Sequence, residues 1–359
     1  MIYREDVHGY ADRFSKAVIL MKASIRQVAE RAKVSHATVS RVLNNANVRI
    51  SSETRRRVEE AAAEMGYQPN RYARALVTGR TQTIALWTTN LRSAYYADFI
   101  HYVHEEVGRH GYDLIVSSAK VSENACDDSP AVLDTIKLLS WPVDGIIAVD
   151  LTRGALPGLK NSLIGGIPFV NVGGYVLESA DFVRVDLTAQ AAQAVKHLAS
   201  IGCKRIAYLA PNWFDWFRLV NDVRLHSYEE TMAEIGQDPE FIIANDEKRE
   251  SVIPALSAYV KQHGCPDGLF CYNDDMAIGA LAVLRGMGIR VPEDVGLIGC
   301  DGIRETAYQC PALTTIVQPL EQICMAAWEF LKQRIQSPDS PLQQVVLMPN
   351  LEIRASTCR

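Results

Sequence analysis

His36, Ala37, Ser40, Arg41 and Asn44 fall at i, i+1, i+4, i+5 and i+8, so a helix would gather them on one face. The chemistry of such a face is recognition of a planar polar edge. An arginine suits a two-bond contact to guanine O6 and N7, and a histidine can hydrogen-bond to a base edge. Alanine offers only an apolar contact, of the kind a thymine methyl accepts. Ser35, Thr38 and Ser40 carry hydroxyls suited to phosphate oxygens, which fix register without reading sequence. For Thr38 and Ser40, packing between helices is a nearly equal alternative.

Nothing else in the chain proposes catalysis. There is no G-x-x-x-x-G-K-[ST], no G-x-S-x-G and no H-E-x-x-H. "GMGIRV" (Gly286–Val291) approaches a dinucleotide fingerprint, but it follows a helical pattern and precedes a strand, the wrong order. The eight cysteines are scattered, with no Cys-x-x-Cys pair and no histidine at zinc spacing. Reduced thiols in a cytoplasmic protein are therefore expected, with no metal and no cofactor. His101 and His104 share a helix face without a partner and read as solvated.

A reading face needs a brace, and the residues before it supply one. Ser24 followed three residues later by Gln27 is a capping box. Ile25, Val28, Ala29 and Ala32 then form an apolar face, and "AKVS" (Ala32–Ser35) breaks the helix, with Ser35 placed to cap the next. In that second helix Val39, Val42 and Leu43 point inward. A third helix follows Ser51, with Val58, Ala61, Ala62 and Met65 inward and Gly66 as its stop. Three short helices with a tight first turn describe a helix-turn-helix. Charge agrees: residues 21–80 hold 12 Lys+Arg against 5 Asp+Glu, while residues 81–359 hold 22 against 34. A basic head on an acidic body is the footprint of a polyanion partner. No apolar run approaches the roughly 20 residues that cross a bilayer, and "AVILM" (Ala17–Met21) is too short for a secretory core.

"IRQVAERAKVSHATVSRVLN" and "SSETRRRVEEAAAEMGYQPNRYARALVTGRTQTIA" resemble the lac repressor (LacI/GalR) family of bacterial transcription regulators, and the likeness runs from about Met21 to the end. It implies a small all-α helix-turn-helix head on an α/β body of two doubly wound lobes, periplasmic-binding-protein-like, with a ligand cleft between them. The expected divisions are an extension over 1–20, since family members usually begin at the place of Met21, then a helix-turn-helix domain over 21–68. A hinge helix and linker over 69–81 and an effector-binding and dimerisation body over 82–359 follow. By the same resemblance His36 and Ala37 choose operator bases. Asn70 and Leu76 hold the hinge asparagine and the leucine that wedges into the minor groove, a contact that unstacks a base step and kinks the duplex.

The body's own pattern agrees with two lobes. Strand-like runs "TIALWTT", "YDLIVSS", "DGIIAVD", "PFVNVG", "RIAYLA", "EFIIA", "GLFCYN", "VGLIGC" and "LTTIV" alternate with amphipathic stretches, too many for one ordinary sheet. Parallel sheets bind ligands at the carboxyl ends of their strands. Tyr95 and Tyr96 follow the first strand, as ligand contacts or as a roof. The resemblance puts Arg224, Asn273 and Asp301 on ligand-contacting positions; Asp186, after "VRVD", is a further candidate, and Asp274 reads as a helix cap. "PNWFDWFRLV" (Pro211–Val220) departs from the family, as does Ser227 in place of a glycine. Its Trp213 and Trp216 are a stacking platform for a sugar ring or are buried against the lobe.

The reading is a sequence-specific DNA-binding transcription regulator, a repressor, controlled by a small effector, a sugar, between two lobes. The expected partners are a near-palindromic double-stranded operator and a second copy of the chain, in the cytoplasm and away from membrane. One alternative is a transport-type sugar-binding protein, which predicts an export signal and no basic head. Another is a corepressor-dependent regulator that responds to a nucleobase.

Overall fold

The computed structural model describes residues 23–43, 49–67, 75, 79–88, 90–118, 142–150, 166–173, 179–212 and 222–358, and the chain divides into two compact units between Thr81 and Gln82. Residues 1–20, Asn44, Asn70, Leu76, Trp213 and Trp216 lie outside the described residues.

The first unit contains α1 (Ile25–Ala32), α2 (His36–Leu43) and α3 (Ser52–Glu64). Ser24 Oγ accepts from the Gln27 amide at 3.3 Å and Gln27 Oε1 accepts from the Ser24 amide at 2.8 Å, the reciprocal bonds of a capping box. Lys33 ends α1 in the left-handed region at φ +53°, and its amide and that of Val34 return to carbonyls of the last turn. That sharp reversal leaves room for only Val34 and Ser35 before α2. Val28, Ala29, Ala32, Val39, Val42, Val58, Ala61 and Ala62 make a shared buried core. Arg55 Nη1 on α3 donates to the Val42 carbonyl, tying the end of α2 to its support.

The second unit holds two six-stranded sheets. β1 (Thr83–Thr88), α4 (Ala94–Arg109), β2 (Asp113–Ser118), β3 (Gly145–Val149), β4 (Phe169–Val172) and β5 (Asp181–Val185) begin the first lobe. The second lobe follows with α5 (Thr188–Ser200), β6 (Ile206–Pro211), α6 (Val223–Glu234), β7 (Glu240–Ala244) and α7 (Arg249–His263). It continues through β8 (Gly268–Cys271), α8 (Asp274–Gly286), β9 (Gly296–Asp301) and β10 (Thr314–Val317). Then α9 (Leu320–Gln336) and β11 (Gln344–Leu347) return to the first lobe, and β12 (Asn350–Glu352) closes the second. The orders are β11-β5-β4-β3-β1-β2 and β12-β10-β9-β8-β6-β7, all parallel except β12 against β10. Among the described residues the chain thus passes between lobes three times, near residues 186–187, 318–319 and 348–349.

The nine strand-like runs correspond to β1–β4 and β6–β10, and "VRVD" to β5. β3 and β6 are buried along their whole length, because helices cover both faces of a parallel sheet. That is why they read as continuous apolar runs. No helix among the described residues is long and apolar enough to cross a membrane.

Candidate functional site

In the head, Ser35 Oγ accepts from the Thr38 amide at 3.1 Å and lies 2.9 Å from its hydroxyl, so both hydroxyls take part in capping α2. His36, Ala37 and Arg41 are exposed on α2, Thr38 and Ser40 are half-buried, and Val39 and Val42 are buried beneath them. The periodicity therefore separates a reading face from a core face within two helical turns. Arg26, Arg31, Arg55 and Arg56 pair with glutamates, whereas Arg41 and Arg49 form no ion pair among the described residues. Their charge is available to a polyanion.

In the body, the strand ends and helix starts bring the polar candidates together. Tyr95 and Tyr96 occupy the first turn of α4, edge to face with ring centroids 5.3 Å apart. Tyr96 donates to Asp150 Oδ2 at 2.9 Å; Tyr95, buried, donates to Gln318 Oε1 at 3.3 Å. Gln318, on the second passage between lobes, donates through Nε2 to Asp301 Oδ1 at 2.9 Å. A hydrogen-bonded path thus runs from α4 of the first lobe to β9 of the second. Burial, then the charges of Asp150 and other carboxylates, push both phenols well above the usual tyrosine range.

Arg224 sits in the first turn of α6, whose N-cap is Asp222. Asp222 forks onto it, with Nε–Oδ1 at 3.2 Å and Nη2–Oδ2 at 2.8 Å, while Nη1 donates to the Tyr272 carbonyl at 3.2 Å. The guanidinium also stacks 3.8 Å above the Tyr272 ring. Burial alone would depress its pKa, yet the Asp222 carboxylate holds it well above the usual arginine value. Burial likewise opposes Asp222, and Arg224 still draws it below the usual carboxylate range. The internal ion pair set against ligand contact in the sequence is therefore present.

Asp274 does not cap α8. Asn273, extended at φ −147°, does so through its side chain to the Met276 amide at 2.8 Å. Asp274 is fully buried instead, and accepts from the Gly302 and Ile303 amides at 2.7 and 2.9 Å and from Thr315 Oγ1 at 2.6 Å. It clamps the loop that carries Asp301. A Cβ at Gly302 (φ +78°) would meet Val317 Cα at 2.7 Å, so glycine is required there. Burial pushes the Asp274 carboxyl up to about 6; burial and the neighbouring Asp274 push Asp301 well above the carboxylate range. The three hydrogen bonds on Asp274 favour its charge, so Asp301 is the one that keeps the proton longer. Asp186 accepts from the Thr188 amide and hydroxyl, at 3.0 and 2.6 Å, and so opens α5 at the first passage between lobes.

Sequence reasoning missed two acids. Glu247, after β7, accepts from Asn90 Nδ2 across the lobes at 2.6 Å, and burial raises its pKa. With Asn90, Asp98, Arg304 and neighbours it lines a cavity of about 630 Å³ at the cleft rim, outside the Arg224–Asp301 cluster. Asp150 ends β3 with φ +48°. The rule that parallel strands present ligands at their carboxyl ends could have found both. Glu106, His110 and Glu329 approach one another on the first lobe, but Arg109 already pairs with Glu106 and Trp328 donates to His110.

Residues 24–70 match the model described as bacterial regulatory proteins, lacI family, and residues 195–357 match a periplasmic binding protein-like domain. The HTH-type transcriptional repressor PurR of Haemophilus influenzae (strain PittEE) is 30% identical over 342 residues, covering 93% of this chain and 98% of that one. The chain belongs to the lacI family of bacterial regulatory proteins. It is a DNA-binding transcriptional repressor under effector control and not an enzyme, which removes the transport-type alternative. Among solved structures, the regulator is similar to a CelR–cellobiose complex, with 26% identity, TM-score 0.64, and 93% and 100% of the two chains covered. It is also similar to the Lac repressor bound to ONPG in a repressed state, with 25% identity, TM-score 0.78, and 94% and 100% covered.

Proposed function

We propose that the regulator binds a near-palindromic duplex operator as a homodimer in the cytoplasm, reading bases with His36, Ala37 and Arg41 and phosphates with Ser35, Thr38 and Ser40. Asn44, Asn70 and Leu76 complete the contact by family resemblance. The observation that carries this reading is the exposed polar face of α2, with Arg41 in no ion pair among the described residues, over a buried apolar core. One recognition helix makes few contacts; two, about one DNA turn (~34–36 Å) apart, read a palindrome.

The effector lies between the lobes, against Tyr95, Tyr96, Arg224, Asn273 and Asp301, with Asp186 at the neighbouring passage and Trp213 and Trp216 nearby in sequence order. A sugar-like ligand suits these groups, and the cellobiose held by the similar CelR structure supports that class. The divisions remain 1–20, 21–68, 69–81 and 82–359.

The test is selection of duplexes from a random pool by the full-length chain, followed by affinity measurements with mono- and disaccharides added. The reading requires an enriched site with two-fold symmetry and a ligand that changes its affinity. An enriched site without symmetry, or a ligand response that survives Asp301→Ala, contradicts it. Weaker binding with ligand marks an inducer and tighter binding a corepressor.

A further inference from the structure

Two contacts join the lobes at the rim of the cleft, and all four side chains line the cavity of about 630 Å³. Asn90 follows β1 of the first lobe, and its Oδ1 accepts from the Arg92 amide at 2.8 Å. That bond fixes which end of the Asn90 amide is the donor, and Nδ2 donates to Glu247, behind β7 of the second lobe, at 2.6 Å. Both residues are half-buried, so this charge-assisted bond stands partly out of water. Asp98 of α4 brings Oδ2 within 3.9 Å of Nε of Arg304, which opens the 3-10 turn Arg304–Tyr308 beyond β9. The Arg304 side chain is 66% exposed, so this second attraction is weak and screened by salt.

Each lobe holds its own anchor in place. The Arg92 amide orients Asn90, and Asp274 accepts from the Gly302 and Ile303 amides just before Arg304. The remaining charges of the cavity divide by lobe. Lys248 pairs with Asp246 and Arg249 with Asp275, all within the second lobe. Arg92 of the first lobe and Glu250 and Glu305 of the second line the same cavity, and none of the three forms an ion pair among the described residues. The cavity thus has a cation on one lobe and acids on the other that an approach of the lobes would bring together.

We propose that the rim is an electrostatic latch: Asn90–Glu247 and Asp98–Arg304 favour the lobe arrangement seen here, and Arg92 engages Glu250 or Glu305 as the lobes draw closer. Lobes joined by a few passages move as bodies, and any contact made in only one arrangement shifts the balance toward it. The chain therefore carries a bias of its own, which an effector between the lobes adds to or works against. The latch is a property of the protein alone and does not depend on which residues hold the effector, so its failure would leave the proposed effector site standing.

The test is hydrogen exchange, read by mass spectrometry, on the full-length chain without effector, comparing wild type with Asn90→Ala and Arg304→Gln. A latch predicts loosening across the lobes in both directions. Asn90→Ala should speed exchange in residues 245–252 of the second lobe by about tenfold or more, the loss of a hydrogen bond to a charged group. Arg304→Gln should speed exchange in residues 93–98 of the first lobe by about two- to fivefold, and about 1 M KCl should do the same to the wild type. Asp98→Arg combined with Arg304→Asp should restore the wild-type rate that either reversal alone raises. Changes confined to the mutated lobe would show local packing only and overturn the latch. Unchanged exchange in both single variants, or a charge swap that restores nothing, would overturn it too. Should Asn90→Ala melt early as a whole, Arg304→Gln and the swap, at an exposed site, decide alone.

Discussion

Arg41 and Arg224 carry the same guanidinium in opposite settings. Arg41 stands exposed on α2 with no ion pair among the described residues, over a core that only holds its helix in place. The Arg224 side chain is 13% exposed, forked by Asp222, bonded to the Tyr272 carbonyl and stacked on the Tyr272 ring. An exposed arginine costs the fold nothing and waits for a partner from outside the chain. A buried one must find its partner inside, and a ligand that reaches it adds to contacts already made. Removing a partner should therefore damage folding in the cleft and recognition in the head.

The largest effect follows from breaking the buried pair. Asp222→Ala leaves the Arg224 charge uncompensated and also removes the cap of α6, and should cost about 3–5 kcal/mol of stability in urea unfolding. A loss below about 1 kcal/mol would mean that solvent reaches Arg224 and that the contrast between the two arginines is false.

Arg41→Ala should leave the unfolding transition unchanged and cost about 1–3 kcal/mol of operator affinity. Equal losses in stability and binding would put Arg41 in the fold rather than on the reading face.

Next comes an effect that only pH reveals. The pKa of Asp301 is raised by burial and by Asp274, so the folded chain holds a proton that the unfolded chain gives up near pH 4. The stability this contributes is fully present below the unfolded value and is lost as pH rises toward the folded one. Asp301→Asn, which has no proton to lose, should match the wild type near pH 4 and become the more stable protein by pH 7. A difference that runs the other way in urea melts would mean that the carboxylate is well compensated in the free protein.

The smallest effect lies in the brace. Ser24→Ala removes the capping box of α1 and should cost about 1 kcal/mol, seen as earlier melting of the head with the reading face chemically intact.

The alternation of apolar runs with helices made ten of the twelve strands among the described residues legible. β11 and β12 escaped because they are short edge strands, four and three residues long, with exposed positions alternating with less exposed ones. The α2 face was legible because exposure follows directly from helical period. The cleft was harder for a physical reason: which carboxylate caps, which clamps and which stays unpaired depends on contacts between distant segments. Asn273, Asp274 and Asp275 are adjacent at one helix start, and only the extended backbone of Asn273 makes it the cap. Glu247 lies in "NDEKRE", a charged run that reads as a solvated loop until Asn90 of the other lobe meets it.

The most direct test of the account is a binding-site selection from random duplex DNA, run in parallel on the full-length wild type and on Arg41→Ala. The account predicts a near-palindromic site for the wild type. For the variant it predicts the same half-site spacing, with preference relaxed at one base pair in each half. Identical base preferences for the two proteins would contradict the assignment of α2 as the reading helix.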